Sequence, residues 1–181
     1  PIYVLTVTDI NGCTAQDSIT LKEPPKIDTV SVTVTPVACY GDSSGTIKII
    51  STGGTPPYQY SLNGITFTYN NTFNGLPIGT YEVFIKDSNG CADSVMVNIG
   101  QPPGSLNALS STLTNVDCKG NSTGSATVTA SGGTPNYTYH WSPSGGTNAT
   151  ATGLTSGTYT ITVSDKNGCS TIASAGSTEP T

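Results

Sequence analysis

Gly79-Thr80-Tyr81-Glu82-Val83-Phe84-Ile85-Lys86-Asp87-Ser88-Asn89-Gly90-Cys91 is the stretch on which the fold turns. Tyr81, Val83 and Ile85 recur at every second position, the pattern of a strand with one buried face. Asp-x-Asn-Gly follows and supplies residues that tolerate positive φ, as a tight hairpin requires. The same reading returns at Tyr159, Ile161 and Val163 before Asp165-Lys166-Asn167-Gly168-Cys169. It returns again at Tyr3, Leu5 and Val7 before Asp9-Ile10-Asn11-Gly12-Cys13. Successive Asn-Gly-Cys cysteines stand 78 residues apart, so the chain is built from repeats.

Other markers keep the same beat. Gly-Gly-Thr-Pro begins at Gly53 and at Gly132, Cys-x-Gly at Cys39 and at Cys118, and Pro-Pro recurs at Pro24-Pro25 and Pro102-Pro103. The expected organisation is therefore residues 1–25 as the C-terminal strands (an F-G hairpin) of a truncated repeat, then complete repeats at 26–103 and 104–181, a piece of a longer array. Within a repeat the expected strands are marked by Val30, Val32 and Val34 (Leu109 and Leu113 in the next copy), Ile47 and Ile49 (Ala126 and Val128), and Tyr58, Tyr60 and Leu62 (Tyr137, Tyr139 and Trp141). A less regular stretch with Phe67, Tyr69 and Phe73 follows, then the opening strand above, then a last strand with Val95, Val97 and Ile99, matched at the front by Ile19 and Leu21. Seven short strands per ~78 residues predict an all-β chain of tandem immunoglobulin-like seven-stranded β-sandwiches in a linear array. Leu76-x-x-Gly-x-Tyr81 and Leu154-x-x-Gly-x-Tyr159 fit a tyrosine corner, and Trp141 is expected in the core with a partner for its indole N–H.

Composition agrees with small, thin cores. Only 34% of the 181 residues are hydrophobic and 9% charged, too little for one large core. The ordered alternation argues against disorder despite the Gly and Pro content. Six lysines, no arginine and a net charge of −5 lack the basic footprint of a nucleic-acid binder. No apolar run reaches the ~18 residues of a membrane span.

Taken together, Cys-x-Gly-x-x-x-Gly (Cys39 to Gly45), Gly-Gly-Thr-Pro-x-Tyr-x-Tyr (Gly53 to Tyr60 and Gly132 to Tyr139) and Gly-Thr-Tyr followed by Asp-x-Asn-Gly-Cys resemble the SprB repeat of very long adhesins of gliding Bacteroidota. That resemblance implies export by the type IX secretion system and display on the bacterial cell surface as a filament. Asp17-Ser18-Ile19, Asp28-Thr29-Val30 and Asp93-Ser94-Val95 are similar to the O-glycosylation motif of that phylum, which makes Ser18, Thr29 and Ser94 candidate acceptors. Ser18 and Ser94 are expected at equivalent places in the seventh strand.

Five cysteines in a core-poor chain point to disulfides in an oxidising compartment. The plainest pairing is within a repeat, Cys39–Cys91 and Cys118–Cys169, leaving Cys13 without its upstream partner. In an immunoglobulin order, however, Cys39 ends the first strand while Cys91 follows the hairpin at the opposite pole. A strand of six residues separates the poles by ~20 Å, whereas a disulfide needs Cα atoms ~4.4–6.8 Å apart. A bridge from Cys39 to Cys169 across the junction, with Cys91 paired to another repeat, and free thiols are the alternatives left open. Zinc has no Cys-x-x-Cys and only His140 to offer.

No catalytic constellation emerges. His140, the only histidine, lies on the third strand where the other repeat has Ser61, and no nucleophile elbow or His-Glu-x-x-His is present. Asp87, Asn89 and Asp93 are the calcium candidates, although Ca²⁺ wants six to eight oxygens and the turn needs no metal. The expected function is a structural and adhesive stalk segment of a long surface adhesin filament, not an enzyme, whose length grows with copy number. Its expected partners are neighbouring repeats, surface polysaccharide or substratum, and laterally associated copies. The alternatives are a polysaccharide-binding module using Tyr58, Tyr60, Tyr137, Tyr139 and Trp141, or spacer repeats of a secreted hydrolase. Rings exposed together on one face would favour the sugar binder.

Overall fold

The computed structural model describes residues 1–29, 31–110 and 113–181 in full, and residues 30, 111 and 112 only as parts of their strands. Val30, expected in the first strand, is thus outside the described residues. The described residues form fourteen strands and no helix. They gather into two compact units: Pro1–Val32 with Ile49–Asn71 and Glu82–Val95, and Thr33–Lys48 with Thr72–Tyr81 and Met96–Thr181.

The chain opens with β1 (Ile2–Thr8) and β2 (Thr14–Thr20), an antiparallel hairpin registered from Ile2↔Thr20 to Thr8↔Thr14. Then come β3 (Asp28–Thr35), β4 (Gly45–Thr52), β5 (Gln59–Ser61), β6 (Thr72–Leu76), β7 (Gly79–Lys86) and β8 (Ala92–Ile99). They form sheets of order β3-β4-β6 and β5-β7-β8. The pattern recurs in β9 (Asn107–Thr114), β10 (Gly124–Ser131), β11 (Thr138–Ser142), β12 (Thr150–Leu154), β13 (Gly157–Ser164) and β14 (Ser170–Ser177), with sheets β12-β10-β9 and β11-β13-β14. In immunoglobulin lettering these sheets are A-B-E and C-F-G.

Among the described residues, β3 to β8 and β9 to β14 make six strands each, where the sequence predicts seven. The missing strand D falls where side chains and glycines break the ladder. Asn63 Oδ1 accepts the N–H groups of Ile65 and Thr66, and Gly64 has φ +68°. An Asn carbonyl that satisfies nearby amides competes directly with strand pairing. Only an isolated bridge, Tyr60↔Thr68, survives there. In the later copy Trp141 N–H donates to Gly146 O across a turn with Gly145 and Gly146 at positive φ.

In the second unit, β10, β12 and β9 face β11, β13 and β14 through one core. Ala126, Val128, Ala151 and Leu154 meet Trp141, Tyr159, Ile161 and Val163, all buried. Burial of each large side chain stabilises the fold by roughly 1.5–3 kcal/mol. Trp141 Nε1 donates to Asn148 O at 2.9 Å, so the indole costs no unsatisfied donor. Ile47, Val97 and Ile99 are likewise buried in this unit, and Ile49, Tyr60, Val83 and Ile85 in the first. Of the expected inward residues of β9, Leu109 faces solvent, with Ala108 buried instead, and Leu113 remains 43% exposed. The β9–β10 pairing shifts by one residue between Thr127 and Val128, so that Leu109 pairs with exposed Thr129 while Leu113 pairs with buried Ala126.

Candidate functional site

The repeated motifs converge on the hairpin that ends in Asn-Gly-Cys. Between β13 and β14, Asp165 turns its carboxylate inward. Oδ1 accepts the N–H groups of Asn167 and Cys169, at 2.9 and 3.0 Å, and Oδ2 that of Thr134 at 2.8 Å. Burial raises the Asp165 pKa, but the donors on Thr134, Cys169, Asn167 and Gly168 outweigh it and hold the carboxyl below its ordinary value. Thr134 belongs to Gly-Gly-Thr-Pro, and its two glycines explain the motif. Gly132 and Gly133 have φ of +73° and +58°. A Cβ on Gly132 would lie 2.0 Å from Ser105 O, and one on Gly133 2.6 Å from Asp165 Oδ2. Only glycine permits that approach. Tyr137 Oη donates to Gly132 O, tying the motif's first tyrosine into the same frame.

The first unit repeats this frame residue for residue. Asp87 Oδ1 accepts from Asn89 and Cys91 and Oδ2 from Thr55, Gly54 N–H donates to Pro25 O, and Tyr58 Oη donates to Gly53 O. Asp87 is also held below the ordinary value: burial pulls upward, while N–H groups of Thr55, Cys91, Asn89 and Gly90 pull further down. Asp9 Oδ1 takes the N–H groups of Asn11 and Cys13 in the opening hairpin.

The Cys-x-Gly motif is a second prebuilt turn. Asp42 N–H donates to Cys39 O with Gly41 at φ +77°, the third-position geometry of a type II turn. Ala38 N–H donates to Ser44 Oγ, and Gly41 N–H to Gln101 Oε1. Cys118 stands in the same frame: Asn121 N–H donates to Cys118 O, Asp117 N–H to Thr123 Oγ1, and Gly120 N–H to Glu179 Oε2.

Within the second unit the two devices meet. Cys39 and Cys169 form a disulfide, Cα–Cα 5.7 Å, across 130 residues of sequence. Asn167 Nδ2 donates to Ala38 O at 2.9 Å and to Thr134 Oγ1 at 3.0 Å, so one amide joins the turn, the hairpin and Gly-Gly-Thr-Pro. Pairing within a repeat is not what forms: Cys13, Cys91 and Cys118 are exposed free thiols.

The remaining candidates fare differently. Asp87 uses both oxygens on backbone amides, and Asn89 Nδ2 donates to Thr55 Oγ1, so calcium gains no support from this arrangement. Asp93 Oδ1 accepts from Ser94 N–H, and Ser94 Oγ donates to Glu82 Oε1. Ser18 and Ser94 are exposed and Thr29 half-buried. Counted from their cysteines the two serines occupy different positions, five and three residues on, so their expected equivalence does not hold. Tyr159 is buried, and its hydroxyl donates to Thr155 O and accepts Thr155 N–H. Tyr81 is only half-buried, contrary to its assignment to the core. Pro77, at the corresponding corner, has no N–H, and Tyr81 Oη simply donates to Pro77 O. Tyr60 and Trp141 are buried and Tyr58, Tyr137 and Tyr139 half-buried, so these rings present no exposed platform. His140 is exposed on β11. No described helix is long and apolar enough to cross a membrane.

Paired sheets A-B-E and C-F-G, twice over, define this chain as tandem immunoglobulin-like β-sandwich repeats. The family model of the SprB repeat matches residues 31–67 and 110–146. No curated protein matches it. Among solved structures, the N-terminal eight immunoglobulin domains of the Down Syndrome Cell Adhesion Molecule are similar at 12% identity over 99% of this chain and 28% of that one, TM-score 0.45. The C-terminal 282-residue fragment of intimin, solved with the intimin-binding domain of its translocated receptor, is similar at 16% over 86% and 64%, TM-score 0.43. Fibronectin(III)-like modules of Clostridium thermocellum CbhA are similar at 16% over 80% and 91%, TM-score 0.35. The chain spans less than two thirds of the first two structures.

Proposed function

We propose that the chain is a non-enzymatic stalk segment of a long bacterial cell-surface adhesin filament of the gliding-motility kind, exported by the type IX system. The observation that carries this reading is the covalent tie between successive sequence repeats, Cys39 to Cys169, made from a turn and a hairpin that both recur along the chain. A covalently tied series of small domains suits a load-bearing spacer, and its reach grows with copy number. Disulfide use fits an extracellular location. Contact with polysaccharide or substratum, lateral association of copies and O-glycans on Ser18, Thr29 and Ser94 belong to the same proposal.

Surface immunogold labelling of unpermeabilised cells making the parent protein, combined with in-frame deletion of residues 26–103, tests it. Label on outer filaments that shorten on deletion is the expected result. Label confined to the cell interior, or filaments of unchanged length, would sink the reading.

A further inference from the structure

At Cys169 the hairpin is a filled seat: the Ala38-Cys39 turn supplies a sulfur to the disulfide, and its Ala38 carbonyl accepts from Asn167 Nδ2. At Cys91 the same hairpin, with the same Asp, Asn and Gly-Gly-Thr-Pro partners, stands beside a cavity of about 610 Å³ lined by Pro24, Pro25, Ile27, Gly54, Asp87 and Cys91. Asn89 Nδ2 donates to Thr55 Oγ1 at 2.9 Å, as Asn167 does to Thr134, and its second hydrogen has no protein acceptor among the described contacts. The Cys91 thiol is free and exposed. No Cys-x-Gly turn precedes Cys91 by the required spacing in this sequence, since Cys39 is the first such turn. The complementary half is also present and unused: Cys118 is free on a turn with the hydrogen bonds of the Cys39 turn.

We infer that the cavity beside Cys91 is the docking seat for the Cys-x-Gly turn of a preceding repeat, and that Cys91 closes a disulfide with that turn. The occupant is defined by its chemistry. Its cysteine reaches the Cys91 thiol, the carbonyl before that cysteine accepts the spare hydrogen of Asn89, and its glycine at positive φ makes the turn narrow enough to enter. Applied at every period, this links each repeat to the next, with Cys118 serving the repeat after it. Bond formation consumes one disulfide of an exchange oxidant such as oxidised glutathione. Two thiols and one glutathione disulfide give one protein disulfide and two glutathione thiols, so electrons and protons balance.

The inference rests on the array reading, but its test is independent of surface location or adhesion. The full chain is lengthened by a second copy of residues 26–103 placed after Pro103. The upstream copy carries Cys91→Ser and, as a mass tag on its Cys39 peptide, Tyr40→Phe. After refolding in a glutathione redox buffer, non-reducing peptide mapping should join the tagged Cys39 peptide to Cys91 of the downstream copy. The untagged Cys39 peptide should stay joined to Cys169, which reports correct folding of the original junction. A tagged peptide left as free thiol, or an untagged Cys39 peptide joined to Cys91, overturns the inference.

A second measurement uses the unaltered chain, so it does not depend on folding of the added repeat. A peptide spanning Val37–Gly45, supplied as its mixed disulfide with glutathione, should be captured at Cys91 several-fold faster than at Cys13. Cys13 has the Asp9 hairpin but no Gly-Gly-Thr-Pro beside it in this sequence. Asn89→Ala should remove most of that preference. Equal capture at the two cysteines overturns the inference.

Discussion

Ser177 stands where Ile99 stands one period earlier, and its hydroxyl is buried without a hydrogen-bond partner. A buried hydroxyl left unpaired loses its water at a cost that no protein contact offsets. Ser177→Ala should therefore raise the unfolding free energy, by about 1 kcal/mol, in denaturant titration. Unchanged or lower stability would show that the hydroxyl has a partner. Asp87 and Asp165 act in the opposite sense. Folding lowers their pKa values below the ordinary 3.8, so the unfolded chain takes up their protons first as pH falls. The stabilisation is whole above 3.8 and drains away as pH drops toward the folded values. Thermal midpoints should be level near neutrality, and the part of the acid decline due to these carboxyls should set in only as pH drops below 3.8. Asp87→Asn with Asp165→Asn should start lower and show a shallower acid decline, and an acid decline as steep as the parent's would rule out these carboxyls as its source.

Elements were legible where a side chain's place depends on its own strand. Tyr159, Ile161 and Val163 alternate in sequence and are buried in the structure, as are Ile47 with Ile49 and Val97 with Ile99. Legibility failed where a neighbour decides. Leu109 and Leu113 would share a face on a regular strand, but the register shift between β9 and β10 sets Leu109 opposite exposed Thr129 and Leu113 opposite buried Ala126, and one strand's sequence holds no record of it. The strand expected at Phe67 and Tyr69 gave way to the Asn63 turn. Gly-Gly-Thr-Pro reads correctly as a turn, yet its task of delivering Thr134 N–H to Asp165 appears only once both segments are in space. That task makes a sharp prediction. Gly132→Ala places a methyl carbon 2.0 Å from Ser105 O at φ +73°, and backbone must move to relieve it. It should lower stability by at least about 2 kcal/mol, adding the strain of a left-handed non-glycine residue to the clash. A loss below that, measured by chemical denaturation, would mean that the turn tolerates a side chain.

For the molecule as a whole, the two-sheet architecture could be read from recurring motifs, whereas the choice among the cysteine partnerships could not. Strand-length arithmetic weighed against Cys39–Cys91, but choosing Cys169 needs the Asn167 contact to Ala38, made across 129 residues. The bond also decides how much of the chain can be drawn out. Tension applied at Pro1 and Thr181 crosses directly from Cys39 to Cys169, and the 130 residues of separation between them carry none of it. At ~3.5 Å per extended residue, roughly 450 Å of polypeptide is withheld while the bond stands. Single-molecule extension should show that length released on adding a reductant, and Cys39→Ser should show it from the outset. While the bond stands, unfolding of the sandwiches lengthens the tether only by its short end segments, so slack in such a fibre is governed by the redox state of its surroundings.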